Sequence, residues 1–315
     1  MEILFATDGS EGSTHALNVL CDLPLGSSDH VTVLSIPVHQ SLGLTMDGSS
    51  GVLVVELIEA EEQRAKEVAR DSAHRLTALG ISADARTADE GTVPMTLMAY
   101  LRRHATDLVV IGSRGLGNVK GALLGSTARA LARHSPVSVL VVRGRREAPR
   151  RILAAVDGSA DSDAAIQFLT RLPLPPDAEI TCLHVTPDLA LRRTLIDGAN
   201  ESIERAQTNT ANKVLEDAAR TLGAERKVGA IVAERGHVAE QVLAHADAMG
   251  ADLIVLGSRG QTLGQGFLQG SVADRVLSEA HCAVLVAKPA ATLAEPEQQR
   301  APAHPVSLAE GRRRP

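Results

Sequence analysis

Short apolar runs alternate with longer amphipathic stretches along the first 142 residues, and the same alternation then begins again. Strands are predicted near 2-7, 30-36, 81-88, 107-111 and 137-142, with helices near 11-22, 52-79, 94-104 and 124-134. Leu108 to Ile111 is continuously apolar, and Val137 to Val142 is interrupted only by Ser138, the signature of parallel strands covered on both faces. Strand and helix in strict alternation predict an α/β fold in which helices flank both faces of a parallel sheet. Ser10 or Ser13, and later Ser159 or Ser162, stand where a side chain can cap the first helix of each unit.

The repetition is internal and detailed, and it sets the architecture. Ala105 to Gly115 returns as Gly250 to Gly260, so Gly112 and Gly257 are 145 residues apart, and the same shift relates Gly125-Ser126 to Gly270-Ser271 and Val139-Leu140-Val141 to Val284-Leu285-Val286. Asp8-Gly9-Ser10 recurs as Asp157-Gly158-Ser159 at a shift of 149, as does Val31 to Pro37 against Ile180 to Thr186. The length difference therefore falls in the loop and long helix after the second strand. Two tandem doubly wound domains are expected, over 1-144 and 150-289, joined by the short charged link 144-150. Residues 290-315 turn to Pro, Ala, Glu, Gln and a closing Gly-Arg-Arg-Arg-Pro without periodicity, the composition of a disordered tail.

Each unit carries Gly-x-x-Gly, nine residues, then Gly-Ser, at Gly112, Gly115, Gly125 and Ser126 and again at Gly257, Gly260, Gly270 and Ser271. The first pair follows a buried parallel strand, where α/β folds bind ligands. Glycine lets the backbone turn sharply and come close to what is bound. The second pair opens a helix whose free N–H groups and dipole attract an anion. The loops between also contain Gly117 and Gly121, or Gly264 and Gly266, and the whole suits a phosphate chain. Lys120 in the first loop is matched by Gln265 in the second, so the first site is expected to favour the more highly charged chain. Walker A is excluded because no Gly-Lys precedes Ser or Thr, and a Rossmann fingerprint started at Gly115 and Gly117 fails at Lys120. The competing interpretation of these glycines is plain strand-to-helix turns.

Composition removes other functions. The formal charge is -6, aromatic residues are 1% of the chain, there is no Trp, and Tyr100 is the single tyrosine, so neither a basic field nor stacking platforms favour nucleic acid. Cys21, Cys182 and Cys282 are far apart and read as reduced thiols. The opening residues lack a basic segment leading into an apolar one, and nowhere do eighteen apolar residues run together, so no membrane association and a cytoplasmic address are expected. H-E-x-x-H, G-x-S-x-G and C-x-x-C are absent, and no catalytic residue is assigned. His184, at the end of an apolar strand, reads as a satisfied core or pocket-edge side chain.

The glycine spacing, the aspartate ending the first strand (Asp8, Asp157) and the closing Val-Leu-Val runs resemble the ATP-binding signature of the universal stress protein family, in its tandem form. The resemblance covers about residues 1-143 and 150-288 and implies a five-stranded parallel sheet of order 3-2-1-4-5 in each unit. It implies that Asp8 and Ile36, and Asp157 and Val185, line the adenosine. Gly112, Ser113, Arg114 and Gly115, with Gly125, Ser126 and Thr127, would hold the ribose and phosphates, as would Gly257, Ser258, Arg259 and Gly260 with Gly270, Ser271 and Val272. Arg114 and Arg259 would balance phosphate charge or be exposed turn arginines. ATP is the implied ligand. Mg2+ or Mn2+ is open as its companion, with Asp8 and Asp157 near the phosphates. The implied role is a stress-response regulatory protein, with a slow ATP hydrolase or phosphotransferase and a scaffold with structural glycine loops as the alternatives. The apolar last strands, Val137 to Val142 and Ala283 to Ala287, are predicted to face each other about a pseudo-twofold axis, making one chain a pseudo-dimer. A homodimer of chains and an unidentified protein partner stay open.

Overall fold

A computed structural model describes residues 1–38, 51–88, 91–116, 124–144, 147–187, 200–223, 226–260 and 271–289. The chain runs β1 (Glu2–Thr7), α1 (Glu11–Asp22), β2 (His30–Ser35), α2 (Gly51–Ala78), β3 (Ser82–Thr87), α3 (Val93–Arg103), β4 (Leu108–Gly112), α4 (Ser126–His134) and β5 (Ser138–Val142). It then repeats with β6 (Arg151–Ala155), α5 (Ala160–Arg171), β7 (Glu179–Pro187), α6 (Asn200–Leu222), β8 (Lys227–Gly236), α7 (Val238–Met249), β9 (Leu253–Gly257), α8 (Ser271–Glu279) and β10 (Ala283–Ala287). The boundaries predicted for the first unit agree to within two residues. The larger shift is at α4, where Leu124 packs into the core and Gly125 is the N-cap. Ser10 and Ser159 cap α1 and α5, accepting from the N–H of Ser13 at 3.3 Å and of Ser162 at 3.2 Å.

All ten strands form one sheet in the order β3-β2-β1-β4-β5-β10-β9-β6-β7-β8. Each unit alone has the 3-2-1-4-5 order, and every pairing within a unit is parallel. Strand periodicity divides the core into two layers. Ile3 and Phe5 face α1 and α2 on one side with Leu108 and Val110, whereas Leu4 and Ala6 face α3 and α4 on the other with Val109 and Ile111. The second unit distributes α5 and α6 against α7 and α8 in the same way.

The units join where β5 pairs antiparallel with β10, in the register Val141↔Val284, Leu140↔Leu285 and Val139↔Val286. Leu140 and Leu285 occupy equivalent positions of the two repeats, so a pseudo-twofold axis passes between them. Pairing the margins removes the open edges that two apolar terminal strands would otherwise expose. Because β5 and β10 run in opposite directions, the carboxyl ends of the two parallel sets lie at opposite margins of the sheet. Helices reinforce the seam asymmetrically. Arg133 on α4 makes a bidentate pair with Asp274 on α8 (3.1 and 2.6 Å), and Arg143 donates to the α8-terminal carbonyls of Leu277 (2.8 Å) and Ala280. The link is pinned as well. Ala148 N–H donates to Asp22 at 2.7 Å, and the N–H groups of Arg150 and Arg151 share Asp252 Oδ2 at 3.0 and 2.9 Å.

The repeats differ where the shift analysis placed the difference. After the second strand, α2 has 28 residues and α6 has 23. The strands differ too. β7 has 9 residues and pairs with a 10-residue β8 as far as Pro187↔Gly236, across an irregularity at Ile180/Thr181. Val185 therefore lies inside β7 instead of ending its strand, because a longer neighbour continues the ladder past it. The segment 290-315 and the loops carrying Gly117, Lys120, Gly121, Gly264, Gln265 and Gly266 lie outside the described residues. Among the described residues, no helix is long and apolar enough to cross a membrane.

Candidate functional site

At the carboxyl margin of the first unit, β1 and β4 are adjacent and their exits converge. Asp8 leaves β1 and closes a turn by accepting the Ser10 N–H on Oδ1 at 3.0 Å, while Oδ2 accepts the Leu116 N–H beyond β4 at 2.9 Å. One carboxylate thus ties the start of α1 to the glycine loop, and both of its oxygens serve that purpose. Ser10 Oγ adds a second tie by donating to the Arg114 carbonyl at 3.3 Å. The register Thr7↔Ser35 brings Ile36 off the sheet beside Asp8, with its side chain buried among Ala6, Leu34 and Ile111.

Gly12 and Gly112 are there because backbone meets backbone, and Gly115 because the loop closes on the Asp8 carboxylate. A Cβ on Gly112 would lie 2.4 Å from the carbonyl carbon of Gly12, and one on Gly12 would lie 2.3 Å from the Arg114 oxygen. A Cβ on Gly115 would lie 2.3 Å from Asp8 Oδ2. No L side chain fits such contacts without moving one of the two segments. Ser113 is buried, donating its N–H to Val142 at 2.8 Å and accepting the Gly125 N–H at 2.7 Å. That second bond sets the N-cap of α4 directly over the end of β4. Ser126 and Thr127 then open the helix at the surface. Arg114, Gly115 and Leu116 are exposed.

The second unit repeats this framework. Asp157 Oδ1 accepts the Ser159 N–H at 2.9 Å, Ser159 Oγ donates to the Arg259 carbonyl at 3.3 Å, and a Cβ on Gly260 would lie 2.7 Å from Asp157 Oδ2. Ser258 N–H donates to Ala287 at 3.1 Å, as Ser113 does to Val142. Ser271 and Val272 open α8, while Gly270 lies outside the described residues. Val185 is buried in the layer that holds Leu183 and Leu256. His184 is 7% exposed and its Nδ1 is 2.9 Å from the Val156 carbonyl, so it serves the core beside the Asp157 turn.

One residue that the sequence reading passed over changes the second site. Asp161, 6% exposed in the first turn of α5, accepts the Ser258 hydroxyl at 2.5 Å and the Arg259 Nε and Nη2 at 3.2 and 3.4 Å. Arg259 is therefore held by an internal carboxylate. Among the described residues Arg114 has no such ion pair, since Gly12 stands at the position of Asp161. The only signal in the sequence is an aspartate in a first helical turn, which helix dipoles favour anyway.

The thiols do not act here. Burial pushes Cys182 up to about 11. Burial, with Asp247 and Asp252 adding and Arg143 opposing, pushes Cys282 to about 11. Cys21 is raised by burial, with Arg75 opposing and Asp22 adding. Thiolates, not thiols, are the nucleophiles, so at pH 7.5 the native chain is expected to react with a disulfide reagent at least about tenfold more slowly than the chain in denaturant. Stopped-time absorbance measures this, and equal rates would contradict the burial.

The sequence profile described as "Universal stress protein family" matches residues 1–143 and again 149–288. A universal stress protein of Mycolicibacterium smegmatis is 28% identical over 191 residues, 59% of this chain and 63% of the relative. Another, of Synechocystis sp., is 24% identical over 303 residues, 90% of this chain and 98% of the relative. Among solved structures, a universal stress protein from Archaeoglobus fulgidus superposes with a TM-score of 0.63 at 22% identity, covering 91% of this chain and 96% of that one. The repeated glycine framework and the double profile match together place the chain in the universal stress protein family, as a tandem two-unit member.

Proposed function

We propose that the chain is an ATP-binding, stress-response regulatory protein of the cytoplasm with one nucleotide site in each unit. The observation that carries this reading is the clamp repeated at both sheet margins, in which Ser10 or Ser159, beside Asp8 or Asp157, donates to the carbonyl of Arg114 or Arg259 in the glycine loop, with Asp8 also accepting the Leu116 N–H. In the first unit that loop is also bonded to the N-terminus of a helix. Such an arrangement presents backbone N–H groups and a helix dipole to an anion, next to a carboxylate and the buried edge of Ile36 or Val185 for the nucleoside. Equilibrium titration is expected to reach close to two ATP per chain. Saturation at zero would remove the reading and leave a scaffold with structural glycine loops.

Asp8 argues for a held nucleotide over a rapidly consumed one. Both of its oxygens accept backbone N–H groups, so it positions the loop and is poorly placed to take a proton from water. Among the described residues, no group of three or more His, Cys, Asp or Glu side chains could hold a metal ion by itself. Mg2+ or Mn2+ would come with the phosphates, Asp8 or Asp157 being the carboxylate at hand, and would neutralise phosphate charge. Phosphate release is expected well below the ~10 per second common among enzymes. Turnover in that range, lost in Asp8→Asn with binding intact, would favour the hydrolase reading.

A further inference from the structure

The two sites share a backbone framework but not a charge arrangement. In the first unit burial lowers the Arg143 guanidinium, and Arg114 lies close enough for its charge to add to the effect, while Gly12 contributes no side chain between α1 and the loop. In the second unit the equivalents are Arg259 and Lys288, and a buried carboxylate has been added. Burial lowers the Lys288 ammonium, with Asp161 opposing and Arg259 reinforcing, so these three groups feel one another. The first unit cannot acquire this carboxylate cheaply, because a Cβ at Gly12 would strike the Arg114 carbonyl at 2.3 Å.

We propose that Asp161 is the specificity-determining residue of the second pocket, holding Arg259 and the Ser258 hydroxyl in an internal network so that this pocket takes nucleoside monophosphates in preference to triphosphates. This deepens the nucleotide reading above and rests on it. A triphosphate that recruited Arg259 would strip a charge-assisted fork from a carboxylate that is 6% exposed, and a buried carboxylate left without its partner is costly. It would also bring its own charges up to that carboxylate. A single phosphate needs only the loop N–H groups and the helix dipole, and leaves the Asp161 network in place. The first pocket, with Arg114 exposed and unpaired among the described residues, has no such obstacle to the longer chain.

The test uses the full chain carrying Gly115→Glu, which closes the first pocket, and titrates ATP and AMP separately by calorimetry. AMP is expected to bind the second pocket more tightly than ATP. Asp161→Asn, which keeps the shape, and Asp161→Gly, which restores the residue of the first unit, are each expected to tighten ATP by about tenfold and AMP by less than about threefold. Adding Arg259→Ala to Asp161→Asn is expected to remove the gain, since the freed guanidinium is its source. The inference is overturned if ATP outbinds AMP with Asp161 present, or if neither substitution tightens ATP in a chain whose thermal transition shows it folded. It is also overturned if the second pocket binds neither nucleotide in any variant while a Gly260→Glu chain still binds ATP, which leaves the first site standing. Absence of ATP from both pockets would be the distinct failure of the nucleotide reading itself.

Discussion

Gly115→Glu is expected to lower ATP affinity at the first site by more than about a hundredfold, close to 3 kcal/mol, while the chain remains folded. The effect begins at the β-carbon. A Cβ on Gly115 would lie 2.3 Å from Asp8 Oδ2, so any side chain displaces the carboxylate that holds the Leu116 N–H at 2.9 Å. Glutamate then places a second negative charge beside Asp8, where phosphates would have to come. Gly260→Glu acts in the same way at the second site, where the contact to Asp157 Oδ2 would be 2.7 Å. Gly115→Ala, which displaces the carboxylate without adding charge, is expected to lose roughly tenfold. The fold survives because Gly115 is exposed and lies outside both core layers. Gly112→Ala is the contrasting substitution, since its Cβ would meet Gly12 backbone at 2.4 Å, and two packed backbones cannot separate without cost to the core. It is expected to lower the melting temperature, whereas Gly115→Glu is not. Unchanged ATP affinity in the Gly115→Glu, Gly260→Glu double variant would show that the loops do not touch the nucleotide.

The parts of the molecule legible in the sequence are those set by local pattern and by repetition. Leu108 to Ile111 announces a strand buried on both faces because nothing polar interrupts it. Asp8-Gly9-Ser10 announces the β1 to α1 turn because those side chains cap and turn by local hydrogen bonds. The seam was legible for a different reason. Two equivalent apolar margins in one chain with a short link have few ways to avoid solvent, and the antiparallel β5 and β10 pair is the symmetric one. Two features were beyond reach. That Val185 lies inside its strand depends on the partner β8 running to Gly236, which is tertiary information. The role of Asp161 depends on Arg259, 98 positions away, and an aspartate in a first helical turn carries no mark to distinguish a dipole partner from a clasp on another loop.

Leu285→Asp is expected to abolish the folded state of both units, and this follows from where the pseudo-twofold axis falls. Leu285 is fully buried, opposite Leu140 across the seam and beside Val255 of β9. An aspartate there has no cationic partner in a layer made of Leu108, Val110, Leu140 and Val255. An unpaired buried carboxylate costs several kcal/mol, a large share of the ~5–15 kcal/mol by which domains are stable. The same substitution strips β10 from β5, and the uncovered β5 edge then invites pairing between chains. Leu285→Ala, which removes volume without adding charge, is expected to cost about 2–5 kcal/mol while preserving the single seam. Arg133→Ala, which breaks the half-exposed pair with Asp274 at the same interface, is expected to cost under about 1 kcal/mol. Chemical denaturation followed by circular dichroism ranks the three, and gel filtration of Leu285→Asp reads the association of exposed edges. A cost below about 0.5 kcal/mol for Leu285→Ala, or a Leu285→Asp chain whose first unit melts as in the parent, would mean that the two units stand independently and that the β5 and β10 pairing does not hold them together.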